Sequence, residues 1–102
     1  MYFAPFDQDN VGVLDTVTNR FSTIATGLTG HDKFDGAAVV GSKVYFAPED
    51  QDSVGVLDTL TNRFSTIATG LTGRSKFSGA VTFRYDVFFL PYSVTGIGKL
   101  SQ

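Results

Sequence analysis

Apolar residues in this chain fall in short runs separated by turn formers, and no stripe with the 3.6-residue spacing of a helix occurs. In the clearest stretch, Gly36 to Val40 reads as a strand of small residues. Lys43 to Ala47 reads as a second strand, stopped by Pro48. A polar stretch from Glu49 to Ser53 leads into a third strand, Val54 to Leu57. Asp58 to Asn62 then forms a turn, and a fourth strand runs from Arg63 to Thr69 before Gly70 and Gly73 break the chain. This grammar predicts an all-β protein.

The same phrase occurs twice in full. Aligning Tyr2 to Val44 with Tyr45 to Val87 gives 31 identities in 43 positions. Of the first 29 pairs only Phe6/Glu49, Asn10/Ser53 and Val17/Leu60 differ, and the other nine differences lie between His31/Arg74 and Lys43/Asp86. A third, decayed copy starts in register at Phe88, where Phe88-Phe89-Leu90-Pro91 falls on Tyr45-Phe46-Ala47-Pro48. Such a period points to an array, because one unit of this size cannot bury its apolar surface alone. The 102 residues hold two periods and a remainder of 16, which predicts a fragment or one subunit of an assembly.

Composition narrows the classes of function. Hydrophobic residues at 42%, with 14% aromatic, supply enough material for a packed core. The net charge of −2 comes without a block of like charge, so neither a nucleic acid nor a membrane is expected as partner. Cysteine is absent, which excludes a disulfide framework, a thiolate nucleophile and cysteine-based metal sites. No apolar run approaches the ~18 to 20 residues of a membrane helix, and Met1 leads straight into a strand-like stretch without a signal pattern. Nothing here assigns a localisation.

The segments Asp15 to Asn19 and Asp58 to Asn62 have a mechanism as hairpin turns. The aspartate can accept hydrogen bonds from backbone N–H groups two or three residues on, and asparagine tolerates a left-handed backbone. A catalytic Asp/Thr pair is the weaker reading of the same residues. Gly12 and Gly55, each inside a strand, are expected to permit close approach of neighbouring sheets rather than to bind phosphate.

Lys43-Val44-Tyr45-Phe46-Ala47-Pro48, Val54-Gly55-Val56-Leu57-Asp58-Thr59-Leu60-Thr61-Asn62 and Thr66-Ile67-Ala68 together resemble the YVTN-type β-propeller repeat, with Kelch-like and gluconolactonase-like propellers as near alternatives. Phe-Ala-Pro stands where that repeat has valine-threonine-asparagine. The resemblance covers residues 2 to about 92 and implies tandem four-stranded antiparallel blades, about two and a half of them, in an incomplete ring. The single repeat region 1–102 would then divide into a partial first blade at 2–30, a second at 34–69 and a partial third at 77–100. The strands of the first would be 2–6, 11–15 and 20–26, and those of the third 77–83, 86–90 and part of another. Propellers carry about 4 to 8 blades, so the resemblance implies self-association: residues 77–83 of a neighbouring copy would complete the first blade.

In a propeller, the loop between strands two and three and the loop leading to the next blade share one face. Here these carry Asp7, Gln8, Asp9 and Asn10, with Glu49, Asp50, Gln51 and Asp52 in the next copy, and then His31, Asp32 and Lys33, with Arg74, Ser75 and Lys76. Asp7, Asp9, His31, Lys33, Asp50, Asp52, Arg74 and Lys76 are accordingly the candidate ligand-binding residues. An EF-hand fails on Asp7 as first ligand, since Val11 falls at the fifth place and Thr18 at the twelfth. No cofactor is expected; the one metal reading the loop acids allow is a calcium ion shared by carboxylates of several units, against solvated acids paired loosely with Lys33 or Lys76. No catalytic residue is assigned, because His31 is the only histidine and no triad can be built around it. Tyr2, Phe3, Tyr45, Phe46, Phe88 and Phe89 recur at equivalent places and are expected as core; a few lining a groove would suit sugar stacking. The sequence favours a binding or scaffold module with a protein or carbohydrate ligand, over a lactonase- or hydrolase-type enzyme with a channel metal, or a lectin.

Overall fold

A computed structural model describes residues 1–92, 94 and 96–101. Its regular elements are all strands: β1 (Tyr2–Phe3), β2 (Asn10–Asp15), β3 (Arg20–Ala25), β4 (Phe34–Val40), β5 (Lys43–Pro48), β6 (Ser53–Asp58), β7 (Arg63–Ala68), β8 (Phe77–Phe83), β9 (Asp86–Pro91) and β10 (Gly98–Leu100). They form three antiparallel sheets with orders β1-β2-β3, β4-β5-β6-β7 and β10-β9-β8. The expected first strand over 2–6 is shorter, ending at Phe3. The strand expected from Gly36 begins earlier, at Phe34, across a register shift between Phe34 and Ala37. Gly36 sits in that shift at φ 79, and a Cβ there would lie 3.0 Å from Gly79 Cα of the next sheet, so only glycine fits. The unit expected at 77–100 includes residues 93 and 95, which lie outside the described residues.

Hairpin chemistry fixes the register. Asp58 Oδ1 accepts the Leu60 N–H at 2.9 Å, Asn62 takes φ 57, and β6 and β7 then pair from Asp58↔Arg63 to Ser53↔Ala68. Asp15 and Asn19 repeat this, with the Val17 N–H donating at 2.9 Å and Asn19 at φ 59. The turn reading of both segments holds.

The three sheets stack face to face, with the second in the middle. Val11 of the first sheet packs in one cluster with Phe34, Val44, Phe46 and Leu57 of the second. A separate cluster joins Ala38, Tyr45, Ala47, Val54 and Val56 to Phe77, Val87 and Phe89 of the third. Because both faces of the middle sheet are covered, β5 and β6 are buried almost without interruption. Within the middle sheet, Phe34, Phe46 and Phe64 bring their ring centroids to 6.0–6.3 Å of each other. Gly55 makes room for them: a Cβ there would lie 3.0 Å from Phe64 and 3.1 Å from Phe34. The close approach at Gly55 is thus of two aromatic rings in its own sheet rather than of a neighbouring sheet. Full burial of Phe34 and of Phe46 is worth about 1.5 to 3 kcal/mol each, and Phe64, half-buried, contributes less. Residues 77–83 form β8, paired with β9 from Phe77↔Pro91 to Phe83↔Asp86, so lending this strand to another copy would cost that pairing.

Candidate functional site

Along one edge of the stack the polar loops meet. Gly27, Gly30, Gly70 and Gly73 all take positive φ, and so do Asp32 and Ser75 at φ 51, which turns the chain sharply before β4 and β8. Thr26 Oγ1 donates to Asp9 O at 2.7 Å and Thr69 Oγ1 to Asp52 O at 2.6 Å, tying each β3- or β7-end to the preceding acidic loop.

Backbone hydrogen bonds then run across all three sheets. Lys33 N donates to Phe6 O at 2.8 Å, Glu49 N to Lys33 O at 3.0 Å, Lys76 N to Glu49 O at 2.9 Å and Tyr92 N to Lys76 O at 2.9 Å. Asp50 N adds a parallel bond to Asp32 O at 2.8 Å. Such bonds satisfy loop groups that would otherwise need water or side chains.

The structure brings Asp7 to His31, Asp9 to Lys33 and Asp52 to Lys76, whereas Asp50 meets the Ser75 backbone. Asp7 Oδ1 accepts the Asp32 N–H at 2.9 Å and lies 4.0 Å from His31 Nδ1, while Asp50 Oδ1 accepts the Ser75 N–H at 2.9 Å. Asp7 and Asp50 therefore hold the loops as well as presenting charge. His31 and Arg74 occupy equivalent exposed places. Asp9 lies 3.3 Å from Lys33 Nζ and Asp52 3.3 Å from Lys76 Nζ.

Lys33 and Lys76 depart from expectation. Both side chains are buried, where the sequence placed them among the ligand-binding residues of the loop face; the acids paired with them, Asp9 and Asp52, keep most of their exposure. Each ammonium also donates to a loop carbonyl, Lys33 to Gly30 O at 2.8 Å and Lys76 to Gly73 O at 2.7 Å. A buried cation is tolerated because these acceptors replace its water. The lysines brace the loops from beneath, whereas Asp7, Asp9, His31, Asp52 and Arg74 are exposed and Asp50 is half-buried.

Two further carboxylates were not singled out from sequence. Glu49 stands where the first unit has Phe6, and its Oε2 is buried without a hydrogen-bond partner. Desolvation, followed by the charges of Asp35, Asp32, Asp50 and Asp7, pushes its carboxyl above the ordinary range. Asp32 is also raised, first by desolvation and then by Asp7 and Asp50. The signal was present in the sequence as one of three differences in an otherwise constant stretch, although its burial depends on the loop of the neighbouring unit. Among the described residues, no three His, Cys, Asp or Glu side chains converge to hold a metal ion. The edge is therefore a carboxylate-rich surface held by backbone bonds, suited to recognising cationic or hydroxyl-rich groups. No protein-family model and no curated protein matches the chain.

Proposed function

We propose that this chain is a β-propeller-type repeat module, resembling the YVTN-type repeats, that acts as a non-enzymatic binding or scaffold unit and as one of several copies in a larger ring. Each sheet is one blade in this reading, and the ligand sits on the polar loop edge. The observation that carries it is the run of backbone hydrogen bonds from Phe6 through Lys33, Glu49 and Lys76 to Tyr92, which holds variable side chains on a fixed frame. Rigid scaffolds that present variable loops are where binding function concentrates. The cluster of Asp7, Asp32, Asp35, Glu49 and Asp50 favours a protein ligand bearing lysine or arginine over a neutral sugar, through charge complementarity.

The test is a screen of lysine- and arginine-containing peptides beside a glycan array. Binding should be lost in the double variant Asp7→Asn, Asp50→Asn and retained in Val17→Ser, Leu60→Ser on the opposite edge. Glycan hits insensitive to the loop-edge variant, or no hits in either screen, would sink the reading.

A further inference from the structure

Two apolar faces lie uncovered at opposite ends of the stack. Tyr2, Ala4, Val11 and Val13 of the first sheet point towards the second, so the alternation of the strands turns Phe3 and Gly12 outwards. Phe3 is 43% exposed and Phe21 64%, and a hollow of about 400 Å³ is lined by them and Gly12. At the other end, Val87, Phe89 and Leu100 face inwards, which leaves Leu90, 44% exposed, on the outer face of the third sheet, with Ile97, 67% exposed, immediately before β10. Apolar side chains gathered in this way on two faces mark association surfaces.

The middle sheet shows what each face lacks. Phe46, Gly55 and Phe64 are the counterparts of Phe3, Gly12 and Phe21, and they are covered by Ala4 and Val11 of the first sheet together with Phe34. Two periods on, Ala4 and Val11 correspond to Leu90 and Ile97. The outer face of the third sheet is thus the counterpart of the surface that covers Phe46 and Phe64 inside the molecule. It is also bulkier, with leucine for alanine and isoleucine for valine. That added volume faces a hollow in which the middle sheet places the Phe34 ring.

We infer that a second copy of this chain seats Leu90 of its third sheet and the adjoining Ile97 on the Phe3, Gly12 and Phe21 face of the first, repeating between copies the packing that joins the first and second sheets within one. This deepens the assembly part of the proposed function and rests on it. The contact is heterologous, because the two surfaces differ, so copies add head to tail and close into a ring or extend as a filament.

Sedimentation of the full chain from about 5 to 200 µM tests the contact through complementary variants. Wild type should sediment above its monomer mass of 11.0 kDa. Phe21→Glu and Ile97→Glu should each be monomeric, since each destroys one of the two surfaces in every copy. Mixed in equal amounts, they should form a heterodimer and nothing larger, because one good pair of surfaces remains. Both side chains are exposed in a single copy, so the far-ultraviolet spectrum of each variant should match wild type. Monomeric wild type at all concentrations, self-association of either variant alone, or a mixture that stays monomeric overturns the inference. Loop-edge ligand binding by the Phe21→Glu monomer reports separately on the binding reading, so the two fail independently.

Discussion

Lys33 is wholly buried while Asp9, 3.3 Å from its ammonium, is 56% exposed. The pair is lopsided, and Lys76 with Asp52 repeats it at the same 3.3 Å. In such a pair the lysine carries the structural role: its stem packs beneath the loop and its head caps a backbone carbonyl, whereas the carboxylate keeps most of its water.

Lys76→Ala should therefore cost about 2 to 3 kcal/mol through lost packing and an uncapped Gly73 carbonyl. Asp52→Asn should cost less than about 1 kcal/mol, as exposed ion pairs do. Urea unfolding of both variants checks the asymmetry, and equal losses would mean that the ion pair dominates.

Glu49 gives a pH dependence of definite sign. Its carboxyl is raised by desolvation and then by Asp35, Asp32, Asp50 and Asp7. Its contribution to stability is complete below the ordinary carboxylate range, about 4.3 for glutamate, and is lost as pH rises through the raised folded value. Glu49→Gln should match wild type at acid pH and become the more stable form towards neutrality. Thermal midpoints of both proteins across this interval provide the measurement.

Asp15 has the opposite sign. Backbone N–H donors at Val17 and then Thr18 hold its carboxyl below the ordinary range. Its contribution is present above the unfolded pKa of about 3.9 and is lost as pH falls through the depressed folded value. Asp15→Asn should match wild type at the acid end and be the less stable form above the interval, so its thermal midpoint falls less steeply with acid, leaving the Glu49 effect unchanged.

Gly12 and Gly55 sit in nearly identical sequence but in different surroundings. At Gly55 a Cβ meets the half-buried Phe64 ring at 3.0 Å and the buried Phe34 ring at 3.1 Å, and Gly55→Ala should cost about 1 to 3 kcal/mol by overpacking. At Gly12 the nearest rings, Phe21 and Phe3 at 3.2 Å, are exposed enough to move, so Gly12→Ala should fall within about 0.5 kcal/mol of wild type. Chemical denaturation of the two variants makes the comparison.

Calcium should leave the thermal midpoint of the chain within about 1 °C of its value in chelator, because a ligand bound only by the native state must raise stability and the loop acids do not converge. A saturable rise with calcium concentration would restore the shared-carboxylate metal site.

The strands and hairpins were legible because their causes are local: Asp58 and Asn62 set the turn within five residues, and β5 ends at Pro48, one residue past the expected Ala47. The meeting of the acidic loop with His31 and Lys33 was legible only through the family resemblance, which placed both loops on one face. What could not be read was burial. Lys33 and Lys76 look like any loop lysine in sequence, and their enclosure comes from an acidic loop 24 residues upstream and a glycine carbonyl whose direction depends on φ 117 or 110. Glu49 likewise looks solvated until the loops bearing Asp7 and Asp32 close around it.

The bonds that run from Phe6 to Tyr92 use main-chain atoms alone. Phenylalanine, glutamate and tyrosine occupy corresponding places along that run; Phe6 and Glu49 both accept from the following lysine N–H, and Glu49 and Tyr92 both donate to the preceding lysine carbonyl. Shape and chemistry are thereby uncoupled at this edge. A lineage could exchange one side chain there for another, and so one ligand for another, without having to find a new fold for the loop.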